Sequence, residues 1–360
     1  MALPVFLRKF DWVLTSIILG IMALGLATFF AMGPNSHAIF VRHALFVGLG
    51  LLVMLGVSFF DYRIFKNYTL PAILPYALAL ILLALALASR EIRGSSAWLE
   101  IGGFQFEPSE FAKLALLILF AKYFSQKHSE MHRISPILIS GIYVSIPLLL
   151  TLLQPDLGSV IVYSTLWIAM LLFAGVQKKH LLGIFMIGVI TVSLGWFLVL
   201  KPYQKSRIVS FINPQNDPRG SGYNTIQSRI TLGSGGLFGT YPTGNHEKIP
   251  VVVPEPYTDF TFAAFAQKFG FLGVSVLLIT LILFCIKIGK IATSSRNNFG
   301  RLFCWGYLVI IFTHVIINAG MNVGLLPITG IPFPFVSHGG SHLVTIMAGL
   351  GIIQSINRWQ

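Results

Sequence analysis

Three carboxylates stand where polar loops of this sequence run into long apolar segments. Asp259 lies in PEPYTDFTFA just before Phe260 and Phe262, Asp156 lies in LLQPDLGS, and Glu110 lies in EPSEFAKLA. An acid at such a border is costly unless it caps a helix, pairs with a cation or takes part in chemistry. The chemistry open to it is proton acceptance, because partial desolvation raises the basicity of a carboxylate.

Each of these acids also has a purely structural interpretation. Glu110 and Lys113 are three residues apart, so they share one helix face and could form an ion pair. Asp156 could cap the helix that follows it. Thr258 could cap the next long segment, with Asp259 in the first helical turn. The spacing alone leaves the structural and the functional interpretations open.

The elements that must position these residues are membrane-spanning helices. The chain is 55 % hydrophobic and only 10 % charged, and its mean hydropathy is +0.79. A helix needs about 20 apolar residues to cross a bilayer. Apolar runs lie at 11–32, 40–60, 69–89, 109–125, 136–153, 158–175, 181–200, 259–288, 302–322 and 341–356. We therefore predict an all-α polytopic membrane protein, a single transmembrane domain over 1–360 with about ten transmembrane helices.

The net charge of +13 indicates membrane orientation rather than a nucleic-acid partner. Cations concentrate in alternate loops, for example Lys122, Lys127 and Arg133 in one and Lys178 and Lys179 in another. This is the bias of cytoplasmic loops in polytopic proteins. It predicts that both termini are cytoplasmic and that the three acids face the outside.

The same orientation places a large loop, 201–258, outside the membrane between helices 7 and 8. Its apolar residues near Tyr223, Ile226 and Ile230 have helical spacing, which predicts a helix lying on the membrane surface. The run GSGGLFG in this loop matches neither the dinucleotide nor the P-loop fingerprint. It is either a tight glycine turn or a backbone cradle for a diphosphate.

The segment NAGMNVGLLPITGIPFPFVSHGGSH is rich in proline and glycine and cannot form a regular helix. Irregular backbone is not tolerated in contact with lipid, so the segment must be buried in protein or line a cavity. Gly339 and Gly340, at the entrance to the last helix, offer backbone N–H groups to an anion or serve packing alone. No residues have the spacing of a metal site such as C-x-x-C, so no metal ligands are predicted.

Five motifs together resemble the SEDS family, the shape, elongation, division and sporulation proteins. They are PSEFAKLA, QPDLGS, the loop NPQNDPRGSGYNTIQSRITLGSGGLFG, PEPYTDFTFA and MNVGLLPITGIPFPFVSHGGS. The resemblance runs from the second helix to the end of the chain. It implies a ten-helix peptidoglycan glycosyltransferase that polymerises lipid II into glycan strands.

The resemblance also implies roles for individual residues. Asp259 is the expected catalytic carboxylate and general base. Substrate-binding or cavity positions are Glu110, Lys113, Asp156, Arg207, Gln227, Ser228, Glu255, Ser337, Gly339 and Gly340. Arg42, Lys113 and Arg207 are candidates to neutralise the leaving diphosphate. The chain departs from the family pattern at Thr240, Gln267, Lys268, His338 and His43.

The same resemblance indicates location, partners and cofactors. It implies the bacterial inner (cytoplasmic) membrane. It also implies a class B penicillin-binding protein, a transpeptidase, as partner, beside other membrane proteins of the elongation complex. No certain cofactor is implied, although a divalent cation, Mg²⁺ or Mn²⁺, could assist. Two alternatives are a lipid II flippase and a non-catalytic scaffold of the elongation or division complex.

Overall fold

The computed structural model of the protein describes residues 10–89, 97–102, 104–198, 205, 211, 222–241 and 253–359. The helices of this part are α1 (Trp12–Ala31), α2 (His37–Phe59), α3 (Arg63–Asn67), α4 (Leu70–Leu87), α5 (Pro108–Lys127), α6 (Ser135–Leu153), α7 (Leu157–Ala174), α8 (Lys178–Leu198), α9 (Tyr223–Ser234), α10 (Thr261–Ser294), α11 (Asn298–Val323) and α12 (Gly340–Arg358). Two short 3₁₀ turns, Pro34–Ser36 and His128–Glu130, and two strands, β1 (Leu99–Ile101) and β2 (Phe104–Phe106), complete it.

Each of the ten predicted apolar runs falls on a long helix of the described chain. Seven of these helices, α1, α2, α4, α6, α7, α10 and α11, are long and apolar enough to cross a membrane. The prediction of an all-α polytopic membrane protein is therefore confirmed, while the exact number of spans stays a prediction. One feature was not predicted: β1 and β2 form a small antiparallel hairpin in the loop before α5, with Leu99 opposite Phe106.

Polar residues at the ends of the helices determine where several of them begin and end. The Asp11 side chain accepts a hydrogen bond from the N–H of Leu14 at the start of α1 (3.0 Å). Asn297 caps α11 in the same way through the N–H of Gly300 (2.9 Å). Gly324 ends α11 in the left-handed conformation, with φ 81°, which favours glycine because it has no Cβ.

Helix α11 is the most enclosed of the seven candidate spans. In its most apolar window 67 % of the residues are buried, whereas the values for α2 and α10 are both 22 %. Helix α5 is buried along almost its whole length. The outer helices carry their exposed leucines and isoleucines on the face that lipid would cover. Side chains of α5 and α11 therefore lie where a polar site could be shielded from lipid.

The two ends of the described chain meet at one end of the helical bundle. The N–H of Asp11 donates to Gln354 Oε1 of α12 (3.0 Å), and Lys287 at the end of α10 pairs with Asp11 (2.8 Å). The long helices alternate in direction along the chain, so α5, α7 and α10 begin at the opposite end of the bundle. The three acids predicted as functional therefore lie at the end away from both termini.

The predicted helix of the large loop is present as α9, and the glycine run follows it. The buried face of α9 is formed by Thr225, Ser228 and Thr231, while Ile230 is 58 % exposed. The helix packs against α10 and α11, so it is anchored to protein. Its position on a membrane surface stays a prediction.

The glycine run packs against a break in α10. At Gly270 the backbone leaves the helical conformation, with φ 65°. Here the N–H groups of Thr240 and Tyr241 donate to the carbonyls of Gln267 (2.9 Å) and Lys268 (3.1 Å). A Cβ on Gly239 would collide with the Lys268 carbonyl. In this structure the glycines thus serve a close backbone approach, which favours the turn over the diphosphate cradle.

Candidate functional site

Asp259 lies in a turn just before α10 and is partly buried. The predicted capping arrangement is wrong, because α10 begins at Thr261. The N-cap residue of α10 is Phe260, and no side chain caps it. The turn is closed by the N–H of Phe260, which donates to the Glu255 carbonyl (3.3 Å). Asp259 is therefore presented by a turn and is not part of the first helical turn.

Two asparagines of α11 hold the backbone of this turn. The side-chain amides of Asn318 and Asn322 both donate to the Asp259 carbonyl, each at 3.0 Å. Asn318 also donates to the Ile331 carbonyl (2.7 Å), and Asn322 Oδ1 accepts from the N–H of Ala263 (3.1 Å). Both side chains are fully buried. The position of Asp259 is thus determined by a polar pair from the central helix.

The irregular segment before α12 supports the same turn from the other side. Ser337 Oγ donates to the Thr258 carbonyl (2.7 Å), and the N–H of His338 donates to the Tyr257 carbonyl (2.8 Å). Phe333, Phe335 and Val336 are fully buried. The prediction of an irregular segment is confirmed for the described residues between α11 and α12. Its part from Phe333 to Ser337 is enclosed by protein, whereas Leu325 and Gly330 are exposed. Ser337 acts on the backbone of the Asp259 turn.

Gly330 of this segment lies next to the carboxylate itself. A Cβ placed on Gly330 would be 3.7 Å from Asp259 Oδ2, and the backbone there has φ +77°. The left-handed backbone favours glycine at this position, whereas a Cβ would make only an ordinary van der Waals contact. The carboxylate therefore has backbone, rather than a side chain, on its Gly330 side.

Glu110 and Lys113 form an ion pair, as their spacing allows, but the pair belongs to a larger buried network. Lys113 Nζ donates to Glu110 Oε1 (2.8 Å) and lies 3.3 Å from His314 Nε2 of α11. Glu110 Oε2 lies 2.9 Å from His342 Nδ1 of α12. The rings of His314 and His342 stack, with centroids 4.7 Å apart. Three helices thus share one polar cluster.

Asp156 caps α7, which was its structural interpretation. Its Oδ1 accepts from the N–H of Ser159 (3.0 Å). The hydroxyl of Ser159 donates to the hydroxyl of Ser109 in α5 (3.2 Å). The Ser109 hydroxyl in turn donates to Glu107 Oε1 (2.8 Å). Burial, together with the nearby carboxylates of Glu110 and Asp156, raises the pKa of Glu107 from 4.5 to about 8. The starts of α5 and α7 therefore form an acidic corner.

The segment 329–332 brings these parts together. Gly330 adjoins the Asp259 carboxylate, and the Pro332 carbonyl lies 3.3 Å from His314 Nδ1. On the α7 side, a Cβ on Gly158 would be 3.1 Å from the Thr329 carbonyl. The three predicted acids thus lie around one irregular segment, in which Ile331 is buried and Gly330 is exposed, although they come from parts of the chain that are far apart in sequence.

The remaining predicted residues lie in different places. Ser228 is buried and donates to the Asn322 carbonyl (2.9 Å), which ties α9 to α11; its neighbour Gln227 is half-buried. Glu255 is exposed and has φ 51°. Arg207 lies outside the described residues.

Arg42, Gly339 and Gly340 lie at the entrance of α12. Arg42 is exposed on α2; burial and, secondarily, its guanidinium lower the pKa of His338. Gly339 is the N-cap residue of α12, and a Cβ on Gly340 would collide with the Phe46 ring. That contact supports packing as the reason for glycine at 340.

Sequence reasoning missed His314, Asn318, Asn322, His342 and Glu107. One signal was available for the first three: they recur every fourth residue within an apolar helix, so they form a polar stripe on one face. No such local signal marks His342 or Glu107 as partners of Glu110, because their contacts depend on how α5, α11 and α12 face each other.

Comparisons with known proteins agree over almost the whole chain. A family model described as "Cell cycle protein" (FTSW_RODA_SPOVE) matches residues 7–360. The peptidoglycan glycosyltransferase MrdB of Escherichia coli K12 is 33 % identical over 86 % of this chain and 83 % of its own length. Stage V sporulation protein E of Bacillus subtilis is 33 % identical over 88 % and 86 %.

Solved structures show the same fold. The rod shape determining protein RodA of Thermus thermophilus covers 98 % of both chains with a TM-score of 0.73 and 29 % identity. A chain from a peptidoglycan synthase complex has a TM-score of 0.84 and 30 % identity, and covers 98 % of this chain and 99 % of its own. With the family model matching from residue 7 to the last residue, the chain belongs to the FTSW_RODA_SPOVE family of cell cycle proteins, the SEDS family.

Proposed function

We propose that this protein is a peptidoglycan glycosyltransferase that polymerises lipid II, with Asp259 as the general base. Relatives that share most of its length carry the name peptidoglycan glycosyltransferase. The observation that carries the residue assignment is the turn at Asp259. Its backbone is held by two buried asparagines, and its carboxylate borders the exposed backbone of Gly330.

The reaction forms a glycosidic bond between an acceptor sugar hydroxyl and the anomeric carbon of a second, lipid-linked sugar. The bond from that carbon to the diphosphate oxygen breaks, and the undecaprenyl diphosphate leaves with the electron pair. The hydroxyl proton moves to the Asp259 carboxylate as the new bond forms. One base and one displacement lead to inversion at the anomeric carbon, by analogy with single-displacement glycosidases.

The placement of Asp259 suits a base. It lies at the end of the bundle away from both termini, where α10 begins. The residue is partly buried, which limits the contact of the carboxylate with water. The rigid support of Asn318 and Asn322 means that little reorganisation is needed at the moment of proton transfer.

Charge on the leaving diphosphate must be neutralised. Lys113 is buried and engaged with Glu110 and His314 in this structure. Arg42 is exposed at the same end of the bundle and acts electrostatically on His338. We therefore assign the diphosphate contact to Arg42 before Lys113, and the contact of Arg207 stays a prediction from the family resemblance.

An apolar cavity of about 340 Å³ lies beside the site, between α9, α10 and α11. Its lining includes Leu232, Phe262, Phe271, Val274 and Val323. Phe262, three residues after Asp259, belongs to this lining, so the cavity reaches the start of α10 next to the Asp259 turn. A prenyl chain is the occupant that fits, because the lining is apolar and the reacting end of a prenyl-linked substrate must reach Asp259.

A divalent cation would supply further charge neutralisation of the diphosphate when bound. The described residues that could ligate one are Glu110, His314 and His342. Their two imidazoles and one carboxylate suit Mn²⁺ better than Mg²⁺, which prefers oxygen ligands and bound water. Of the two cations considered, we therefore favour Mn²⁺.

We place the protein in the bacterial inner membrane, with both termini in the cytoplasm and the acidic corner outside. Its transpeptidase partner is a class B penicillin-binding protein. The solved chain with a TM-score of 0.84 comes from a complex that joins polymerisation and crosslinking. Co-purification of a tagged copy of this protein with such a transpeptidase, and with other membrane proteins of the elongation complex, tests the pairing.

The decisive experiment uses the full chain purified in detergent and labelled lipid II. The wild-type protein should produce glycan strands, and Asp259→Asn should reduce their yield at least about a hundredfold, the usual contribution of a general base. Asp61→Asn is the matched control, since this acid lies at the other end of the bundle, where it binds the N–H of Arg63. It should retain wild-type activity.

The same samples separate the alternatives. A flippase would move labelled lipid II across a vesicle membrane without making polymer, and a scaffold would do neither. Wild-type amounts of polymer from correctly folded Asp259→Asn protein would end the assignment of the base. Absence of polymer from the wild type would end the glycosyltransferase proposal itself.

A further inference from the structure

Three side chains that could ligate a metal ion come together from three helices. One of them, His314, lies on α11, the helix that also supports the Asp259 turn. Glu110 belongs to α5, His314 to α11 and His342 to α12, and all three are buried. One carboxylate oxygen and one nitrogen of each ring lie within 4.8 Å of one another. We propose that Glu110, His314 and His342 form a binding site for a divalent transition-metal ion. This proposal does not depend on the glycosyltransferase assignment.

The chemistry of the donor set favours such an ion. Two imidazoles and one carboxylate are ligands that Zn²⁺, Mn²⁺, Fe²⁺ and Co²⁺ share, and three protein ligands leave positions for water or substrate. Ligands from three separate helices also mean that the ion would crosslink α5, α11 and α12. Binding should therefore stabilise the fold as well as occupy the site.

His314 is oriented as metal-binding histidines are. Its Nδ1 lies 3.3 Å from the Pro332 carbonyl, which can only accept a hydrogen bond. This contact places the proton on Nδ1 and leaves the lone pair on Nε2. Nε2 of His314 lies 3.3 Å from the Lys113 ammonium, and an ammonium can only donate a hydrogen bond. A backbone carbonyl that holds the second ring nitrogen is the usual outer support of a histidine ligand.

His342 carries an orphaned buried nitrogen. Its Nδ1 is bound by Glu110 Oε2 (2.9 Å), whereas its Nε2 is buried and has no hydrogen-bond partner among the described residues. A buried polar atom without a partner is costly. An ion or its bound water in the cluster would supply the missing partner.

The electrostatics around the cluster attract cations. Glu107 interacts with both Glu110 and Asp156, so three carboxyl groups lie in this corner, with the Lys113 ammonium beside them. A buried Asp156 oxygen, Oδ2, likewise has no hydrogen-bond partner in the described chain. This acidic corner with an orphaned oxygen favours a cation over an anion as the bound ion.

Lys113 is the competitor for the site. Its ammonium contacts both Glu110 and His314, two of the three ligands, so it stands in for the cation in this structure. A bound dication would have to displace the ammonium from these atoms. Removal of the lysine charge should therefore strengthen metal binding, while removal of any ligand should weaken it.

The test uses the full chain in detergent, stripped with a chelator and titrated with Zn²⁺, Mn²⁺ or Co²⁺. We expect saturable binding of one ion per chain by calorimetry and a Co²⁺ absorption spectrum typical of nitrogen ligation. Glu110→Gln, His314→Gln and His342→Gln should each weaken binding at least about tenfold. Lys113→Met should bind more tightly than wild type and show the larger rise in Tm with metal.

His43→Gln is the control matched for burial, because His43 is fully buried but lies outside the cluster. It should bind metal as the wild type does. Circular dichroism and gel filtration verify that each variant is folded. Equal binding by wild type and the three ligand variants would identify adventitious binding and overturn the proposal. Failure of folded Lys113→Met to bind more tightly would overturn it too, even if the ligand variants do not fold.

Discussion

At the scale of single residues, support for Asp259 comes through its backbone. Asn318 and Asn322 both donate to its main-chain carbonyl. The two amides therefore hold the main chain of the turn that carries the carboxylate. Both asparagines are positioning residues under the proposed function.

Asn318→Leu tests this positioning. The substitution keeps the branched shape but removes the donor to the Ile331 carbonyl and one of the two donors to the Asp259 carbonyl, and a buried group without its partner costs about 1–3 kcal/mol. We expect lower Tm and a loss of polymer formation of about tenfold or more. Thr313→Val on the same helix is the control, because the Thr313 hydroxyl bonds only within α11.

A structural role alone would lower Tm and leave the turnover of the folded fraction unchanged. Turnover per folded molecule, measured below the Tm of the variant, is therefore the informative quantity. Wild-type turnover of Asn318→Leu under those conditions would contradict a positioning role.

Glu107 makes stability depend on pH. Its pKa is raised from 4.5 to about 8 by burial, Glu110 and Asp156. Because the folded state holds this proton more tightly than the unfolded chain, the stabilisation is complete below pH 4.5 and is lost as the pH rises through about 8. The wild-type Tm should fall over this range.

Glu107→Gln removes the ionisable group, so the Tm of the variant should depend less on pH over this range than the Tm of the wild type. The measurement is the Tm of both proteins in detergent between about pH 5 and pH 8. Parallel profiles for the two proteins would show that Glu107 is not the group responsible.

At the scale of elements, the break in α10 has a defined function in packing. The part before Gly270 is almost entirely buried and follows the Asp259 turn, whereas the part after it has one face exposed. At the break, the N–H groups of Phe271 and Leu272 donate to the carbonyls of Gly236 (2.9 Å) and Leu237 (3.1 Å). The glycine run of the large loop is thereby fastened to the helix that carries the site.

Gly270→Ala should disrupt this junction. A Cβ would collide with the backbone of Gly239 and Leu237, and φ 65° costs a residue with a side chain about 1–2 kcal/mol before any collision. We expect a clear loss of Tm and of polymer formation. Gly188→Ala in α8 is the control, since nothing lies within 4 Å of its added Cβ.

In the control, alanine should leave Tm unchanged or raise it, because alanine favours a helix more than glycine does by about 1 kcal/mol. A Gly270→Ala protein as stable as Gly188→Ala would mean that the break in α10 can relax at no cost.

At the scale of the whole molecule, the bundle has two chemically different ends. Cations such as Lys122 and Arg63 bind backbone carbonyls at the end where the described termini meet. The acids and the histidine cluster lie near the other end. This separation agrees with the orientation expected from positive loops in the cytoplasm.

Cysteine labelling tests that orientation. In a chain with Cys285 and Cys304 replaced by alanine, Leu325→Cys marks the acidic end, and Leu325 is 72 % exposed. Thr293→Cys marks the opposite end and is also exposed. A membrane-impermeant maleimide should label Leu325→Cys in spheroplasts and Thr293→Cys only after lysis. The reverse pattern would invert the proposed topology.

Local sequence features predicted the parts of the fold that depend on local chemistry. Apolar runs identified the long helices, since hydrocarbon admits little else. Spacing allowed the Glu110–Lys113 pair and the Asp156 cap as one of two interpretations, because both contacts lie within one helical turn. The motif around Asp259 predicts where the site lies.

Contacts between distant helices could not be predicted in this way. The sequence by itself determined a polytopic helical protein with acids at one membrane border. Only the tertiary structure decided that Asn318 holds the Asp259 turn, that His314 and His342 enclose Glu110, and that the glycine run fastens α10. The physical reason is that hydropathy determines which segments enter the membrane, whereas side-chain packing determines which faces of those segments meet.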